Sequence, residues 1–418
     1  GHMLSAGRRA RTELTATATP LPSPAAPLGM EIDTSSLDEY LDEQGLDGYA
    51  VYADGDDSTQ RYLSGFDAPD PFFTVYTPDE TALLASGLEY GRASKEARGT
   101  VDRTSDYDYQ SLREQYESRV ARAKLQSAFL DAHGVDAVAV PETFPVGAAD
   151  GLREEGIALA VDTDGVVDDI RAVKTEEEIQ HVREATLANE ASMRACEELL
   201  EAAEVRNGTL YYEDEPLTSE RVATEIEVTL LEHGCALDET IVACGVDAAD
   251  PHDRGSGPLE AGQPIIVDIF PRSKATGYHS DMTRTFLKGE ASETVREWYE
   301  LTQAAKEAAF DALEPGTTGA EVHAAACEVY EDAGYPTLRQ DPSTETGFIH
   351  STGHGIGLDV HEAPSLSPRG EELEAGQIVT IEPGLYDPAH GGVRIEDIAV
   401  VTEDGYENFT DYPETLEL

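Results

Sequence analysis

Lysine is nearly missing from this chain: it supplies six residues (Lys95, Lys124, Lys174, Lys274, Lys288 and Lys306), and arginine makes up the rest of the 29 basic ones. Against them stand 84 Asp and Glu, a formal charge of −55. So little positive charge argues against nucleic acid and anionic membrane surfaces as partners, because both would be repelled at long range. Cysteine is scarce too. The four thiols, Cys196, Cys235, Cys244 and Cys327, are too few for a disulfide framework, so a reducing cytoplasm is expected. No run of about 18 apolar residues occurs, and no transmembrane helix is expected.

What is present offsets the acid. Apolar residues make up 40% of the chain and include 18 Tyr and 10 Phe, ample material for cores, so the carboxylates belong on folded surfaces. They are spread throughout and form no acidic tail. A surface rich in Asp and Glu and poor in the long apolar stem of Lys suits molar salt, where repulsion is screened within about 3 Å. The composition resembles that of proteins from salt-in halophilic archaea. Gly1 to Met3 read as a cloning scar. Residues 4–29, with three early arginines and four prolines but no apolar signal stretch, read as a disordered leader, and Met30 as the natural start.

At 418 residues the chain suits two domains. Over 30–165, expected strands at Gly48–Ala53, Phe72–Tyr76, Thr81–Ala85 and Ala137–Val140 alternate with helices at Ser35–Glu43 and Tyr109–His133, which predicts an α/β domain. His133 sits at a helix end, where a capping role is expected. Thr175, with Glu178 three residues on, starts a second long helix and predicts that a new domain spans 166–418.

The chemistry gathers in that second half. Asp268 is a lone acid in the apolar run Pro264 to Phe270, where a buried carboxylate needs a partner. A turn over Pro271 to Gly277 leads to a strand from Tyr278 to Phe286 carrying Asp281. A hairpin would set the two carboxylates side by side, where they repel unless protons or a cation bridge them. Glu382 and Glu396 also sit beside β-branched residues, and between the pairs lies His350-Ser-Thr-Gly-His354-Gly-Ile-Gly-Leu-Asp-Val-His361. Four carboxylates and one histidine are mostly hard oxygen donors and suit two divalent ions, which can share a water and lower its pKa.

The ordered set Asp268, Asp281, His354, Glu382 and Glu396 resembles the metal ligands of the pita-bread metallopeptidases of family M24. The preceding α/β domain is similar in size and position to the creatinase-like domain of the Xaa-Pro branch, prolidase and aminopeptidase P. The resemblance implies an α/β N-terminal domain followed by an α+β pita-bread catalytic domain. It implies two divalent ions, Mn²⁺ first and Co²⁺, Zn²⁺ or Fe²⁺ otherwise, with Asp281 and Glu396 bridging both, Asp268 completing one site, and His354 with Glu382 the other. It further implies that a metal-bridged hydroxide cleaves a peptide bond preceding proline, that Glu382 shuttles the proton, and that His361 stabilises the intermediate. By the same resemblance His350 and His252 are active-site histidines and Arg394 orients the acids. A proline-containing peptide substrate, a cytoplasmic location and a homodimer complete the expectation.

Departures from the family pattern are few. Asp268 and Asp281 are 13 positions apart where 11 is usual, Phe270 replaces a glycine, and Asp247 replaces an asparagine. An even insertion keeps each strand's face, so substrate fit is affected more than metal ligation. Cys244 is expected to be a buried structural thiol. Two other readings of the same fold are a sulfonium-cleaving lyase and a non-catalytic binding module; retention of all five ligands counts against the second.

Overall fold

The computed structural model describes residues 30, 32–237 and 239–418. The leader expected over residues 1–29 lies outside them. The first half builds one six-stranded sheet from β1 (Gly48–Ala53), β2 (Phe72–Tyr76), β3 (Thr81–Ala85), β4 (Thr100–Arg103), β5 (Ala137–Pro141) and β6 (Ala158–Asp162), in the order β4-β3-β2-β1-β5-β6. The sheet is mixed, because β1 pairs antiparallel with β2 and parallel with β5. β2 and β3 are buried along their whole length, which is why both read as short, nearly unbroken apolar or β-branched runs. One face packs on Phe129, Leu130 and Leu152 of two covering helices. The other, through Tyr49, Val51 and Ala139, shares a core with Val182, Ile356 and Ile398 of the second half.

The single helix expected over 109–133 is two. Tyr109–Gln115 ends, Tyr116 is extended, and Ser118–Ala132 follows. The first piece buries no residue, whereas the second buries Ala121, Leu125, Phe129 and Leu130, so the break lets only the second lie on the sheet. His133 caps the second piece as expected, and its ring additionally bridges Glu80 (2.8 Å) and Asp102 (3.1 Å).

Thr175 and Glu178 form the reciprocal cap that their spacing predicts, opening the helix Glu176–Ala202. With Ser219–Glu232 this helix covers a sheet of β11 (Ile241–Cys244), β12 (Ile265–Ile269) and β14 (Met282–Phe286), in that order, and Met193, Leu200 and Ile226 pack on Val242, Val267 and Phe286. Two small ribbons flank it: β7 (Glu204–Arg206), β8 (Thr209–Tyr212) and β9 (Glu215–Pro216), and the pair β10 (Cys235–Ala236) with β13 (Arg272–Ser273). A second helix pair, Glu293–Asp311 and Gly319–Asp332, covers β15 (Gly353–Gly355), β16 (Glu362–Leu366), β17 (Ile378–Ile381), β20 (Asp397–Thr402) and β21 (Gly405–Asn408), with the hairpin β18 (Gly384–Asp387) and β19 (Gly391–Arg394) between. Trp298, Val322 and Tyr330 meet Val379, Ile381 and Ala399 there. This is the α/β-then-α+β order that the sequence predicts.

Two local expectations change. The turn over Pro271 to Gly277 contains β13, and the strand expected from Tyr278 begins only at Met282. Asp268 therefore faces Thr283 across the ladder, and Asp281 stands just ahead of β14 rather than opposite Asp268. The scarce lysines are also informative: Lys174 and Lys306 are buried, each in ion pairs with carboxylates.

Candidate metal centre

A cavity of about 600 Å³ gathers all nine residues singled out from the sequence: His252, Asp268, Asp281, His350, His354, His361, Glu382, Arg394 and Glu396. Asp268 is on β12 and Asp281 leads into β14. Glu382 and Glu396 fall where β17 gives way to β18 and β19 to β20, so neither is held in a regular ladder. Their backbones are nonetheless fixed, because Glu382 N–H donates to the Thr352 carbonyl (2.8 Å) and Glu396 N–H to that of Thr283 (3.0 Å). Gly353 brings β15 against β17: a Cβ there would lie 1.9 Å from the Thr380 carbonyl. That close approach delivers His354, whose Nε2 is 3.3 Å from Glu382 Oε1 and 3.8 Å from Asp281 Oδ2.

Hydrogen bonding fixes the histidine tautomers. His354 Nδ1 faces the Gly355 carbonyl at 3.0 Å and donates to it, which turns Nε2 to the carboxylates; burial opposes protonation of the ring, but Glu382 outweighs it and raises its pKa, so Nε2 can donate to Glu382 or, once deprotonated, ligate a metal. His350 Nδ1 likewise donates to the Ser351 carbonyl (2.7 Å), while its Nε2 accepts from the Tyr386 hydroxyl (2.8 Å). Burial depresses His350 to about 4, so it stays neutral at pH 7. His361, exposed to the cavity, stacks edge-on against His354 with ring centres 4.3 Å apart. Partial burial and its histidine neighbours lower its pKa.

The carboxylates are strongly unequal. Burial, then the neighbouring Glu396, Asp268 and Glu382 charges, push Asp281 well above the carboxylate range; burial with Glu382 and Asp268 does the same to Glu396. Burial also opposes charge on Glu382, but the bond to His354 and the nearby His350 and Arg394 override it and hold its pKa to about 2. Arg394 is the internal counter-ion. Its Nη2 donates to Asp268 Oδ2 (2.7 Å), Nη1 to the Tyr386 hydroxyl (2.9 Å) and Nε to Thr283 Oγ1 (3.2 Å).

The comparisons with known proteins give the chain a family. The family model for metallopeptidase family M24 matches residues 180–403, and that for the creatinase/prolidase N-terminal domain matches residues 34–173. The chain belongs to metallopeptidase family M24. Its sequence is 30% identical over 382 residues to an Xaa-Pro dipeptidase of Pyrococcus furiosus, covering 90% of this chain and 96% of that protein. Among solved structures, the prolidase of Pyrococcus horikoshii superposes with a TM-score of 0.74 at 26% identity, covering 91% and 98% of the two chains. An Xaa-Pro dipeptidase of Bacillus anthracis gives 0.75 at 27% identity, covering 92% and 98%. None of these three is described as a lyase or a binding module.

The M24 family implies divalent metal ions, and the residues fit them. Among the described residues, ligand atoms of Asp281, His354 and Glu396 lie within 4.8 Å of one another. Asp268 Oδ1, Asp281 Oδ1 and Glu396 Oε1 are buried and accept no hydrogen bond from the protein. Three orphaned, mutually repelling carboxylate oxygens converging on one cavity are what a cation would satisfy.

Around this M24 centre lie residues that sequence reasoning missed. Thr283 donates to Glu396 Oε2 (2.7 Å) and Thr380 to Glu382 Oε1 (3.3 Å). Tyr386 links His350 to Arg394, and Gly384 leaves room for it, since a Cβ there would lie 2.5 Å from the Tyr386 hydroxyl. Glu239 and Arg254 pair at the cavity rim. None has a local signal beyond ordinary strand and loop composition. Phe270 lines the cavity and packs on the cluster of Ile241, Ile266 and Tyr386. Cys244, the last residue of β11, is only half-buried, against the expected full burial, while the three residues before it on that strand are buried. Its sulfur accepts from Glu260 N–H (3.4 Å), and burial pushes its thiol up to about 11, so it is no thiolate nucleophile.

Proposed function

We propose that this protein is a dinuclear-metal Xaa-Pro peptidase that hydrolyses the bond preceding proline. The observation that carries the reading is the convergence of Asp268, Asp281, His354, Glu382 and Glu396 in one cavity with three carboxylate oxygens unsatisfied; relatives described as Xaa-Pro dipeptidases support the substrate class. Asp268, Asp281, His354, Glu382 and Glu396 would hold the ions. The hard donor set favours Mn²⁺, with Co²⁺, Zn²⁺ or Fe²⁺ able to substitute. When bound, the ions supply Lewis acidity and a water of lowered pKa.

The protein's own groups do the rest. Glu382, ionised at neutral pH, takes the proton of the attacking water and returns it to the proline nitrogen as the amide breaks. His361, exposed to the cavity, donates to the developing oxyanion, and His252 faces the same space. Arg394 holds Asp268 in place while Tyr386 and His350 hold Arg394. Proline at the scissile bond suits a site that asks nothing of an amide N–H, the donor proline lacks. The domains divide at residues 165/166, the protein works as a homodimer, and it works in a salt-rich cytoplasm.

The test is turnover of metal-reconstituted protein in molar KCl on an Xaa-Pro dipeptide, an Xaa-Pro tripeptide and a Met-initiated peptide. Cleavage of the dipeptide before the others is expected from the relatives' descriptions; cleavage of none of the three refutes the reading.

A further inference from the structure

His361 stands on the loop between β15 and β16, which reaches the cavity as an exposed turn, yet the root of that loop is bound in a buried ion cluster. Glu362, next in sequence, has a side chain only 6% exposed. Its Oε1 accepts the Asp359 N–H (2.9 Å) and an Arg171 Nη2 donor, and its Oε2 accepts from Lys174 Nζ (3.0 Å). Asp359 in turn accepts from Arg171 Nη2 (2.6 Å) through Oδ2 and from the Ser58 hydroxyl (2.7 Å) through Oδ1. Gly357 leaves the space for this carboxylate, since a Cβ there would lie 2.6 Å from Glu362 Oε2. Burial works against charge on Glu362, but Lys174 and Arg171 outweigh it and keep its pKa low.

The donors come from outside the metal-binding sheets. Ser58 begins the helix Ser58–Ser64 beside β1, Arg171 lies in the last turn of the helix Val166–Ala172, and Lys174, one of the few lysines, lies in the connection to the next helix. Arg171 and Lys174 side chains are 6% and 1% exposed. Two buried cations face one buried carboxylate, Glu362, and two exposed ones, Asp359 and Asp168; desolvating Arg171, Lys174 and Glu362 is costly and weak evidence of net stability, so the cluster's presence asks for another role. A three-sided hold on one six-residue loop supplies it.

We propose that the Arg171–Lys174–Glu362–Asp359 cluster is a positioning device that sets His361 over the metal centre and that Ser58, its one member from the N-terminal domain, ties the loop to that domain. The proposal rests on the substrate-facing role given to His361 above. Loosening the cluster lets the loop sample other positions, and a displacement of about 1 Å at a reacting group can cost on the order of 100-fold.

Hydrogen exchange over residues 356–362 in the metal-free, full-length protein reads the loop directly. Steady-state kinetics of the metal-reconstituted protein on an Xaa-Pro dipeptide reads the consequence. Glu362→Gln is expected to speed exchange at the Asp359 amide and to lower kcat about 10- to 100-fold, with KM within about twofold. In a His361→Ala background the same change should move kcat by less than about twofold, because the two substitutions act through one group. Ser58→Ala removes one hydroxyl and no charge, so it folds even if the first variant does not; faster loop exchange and a smaller fall in kcat are expected. Equal losses from Glu362→Gln with and without His361, or loop exchange unchanged by either variant, overturn the positioning role and leave the peptidase reading intact. A His361→Ala protein with wild-type kcat overturns both the role of His361 and this proposal.

Discussion

Replacing Arg394 by glutamine should cost this protein several kcal/mol. The guanidinium is buried, 3% exposed at the side chain, and its Nη2 lies 2.7 Å from Asp268 Oδ2. At that distance and an effective dielectric near 20, two unit charges attract by about 6 kcal/mol, most of which was spent in desolvating them. Removing only the cation leaves the desolvation cost of Asp268 uncompensated, and such one-sided breaks run about 3–5 kcal/mol. The shorter amide also cannot reach Thr283 and Tyr386 together. Urea unfolding of metal-stripped protein in molar KCl measures this cleanly, because the single tryptophan, Trp298, lies in the core behind the metal-binding strands and reports on that half alone. Adding Asp268→Asn to the same chain removes the stranded charge and should restore at least about half of the loss. A cost below about 1 kcal/mol for Arg394→Gln, or simple additivity in the double variant, would refute the view of Arg394 as the counter-ion of the site.

Three further outcomes are expected. Asp281→Ala removes one of the proposed metal ligands and should abolish turnover together with bound metal; metal analysis showing full occupancy and retained activity would sink the assignment. His133 titrates above its ordinary value: burial opposes the charge, but the Glu80 and Asp102 carboxylates outweigh it. A raised pKa means that its stabilisation is fully present below about pH 6.5 and is lost as pH rises through the folded value; thermal melts of His133→Gln should lack that decline, and a wild-type curve of the same shape would contradict it. Lowering KCl from about 1 M to 0.1 M lengthens screening from about 3 Å to about 10 Å and should unfold a chain of charge −55, whereas chelation should stop activity and leave circular dichroism unchanged. Indifference of fold to salt would end the halophile reading and leave the peptidase reading untouched.

Much of the site was legible before folding because its chemistry is incompatible with its setting. Asp268 between Val267 and Ile269, and Glu396 after Ile395, are acids where apolar residues belong, and a buried acid needs a cation or a proton. Four of the six strands in the first half were equally plain, β2 and β3 because they are buried on both faces and carry few polar interruptions; β4 and β6, mostly exposed or half-buried, were missed. The helix break at Tyr116 was not, because nothing in Gln115 to Ser118 forbids continued helix; the decision comes from which segment finds a sheet to cover. Asp281 was read inside a strand running from Tyr278 to Phe286, whereas the ladder starts one residue after it, at Met282.

By itself, the sequence determined the acid balance, the order of an α/β domain before an α+β domain, and which carboxylates and histidines could carry chemistry, because composition, periodicity and misplaced charge are local properties. Tertiary structure alone decided which of their atoms stay unsatisfied, which tautomer His354 presents, that Tyr386 and Thr283 support Arg394, and that Ser58, Arg171 and Lys174 grip the loop of His361. Apart from the His354 bond to the adjacent Gly355 carbonyl, those hydrogen bonds and ion pairs join residues from 8 to 301 positions apart. Hydrogen bonds and ion pairs at such separations depend on the packing of whole sheets, and no local pattern in the chain encodes them.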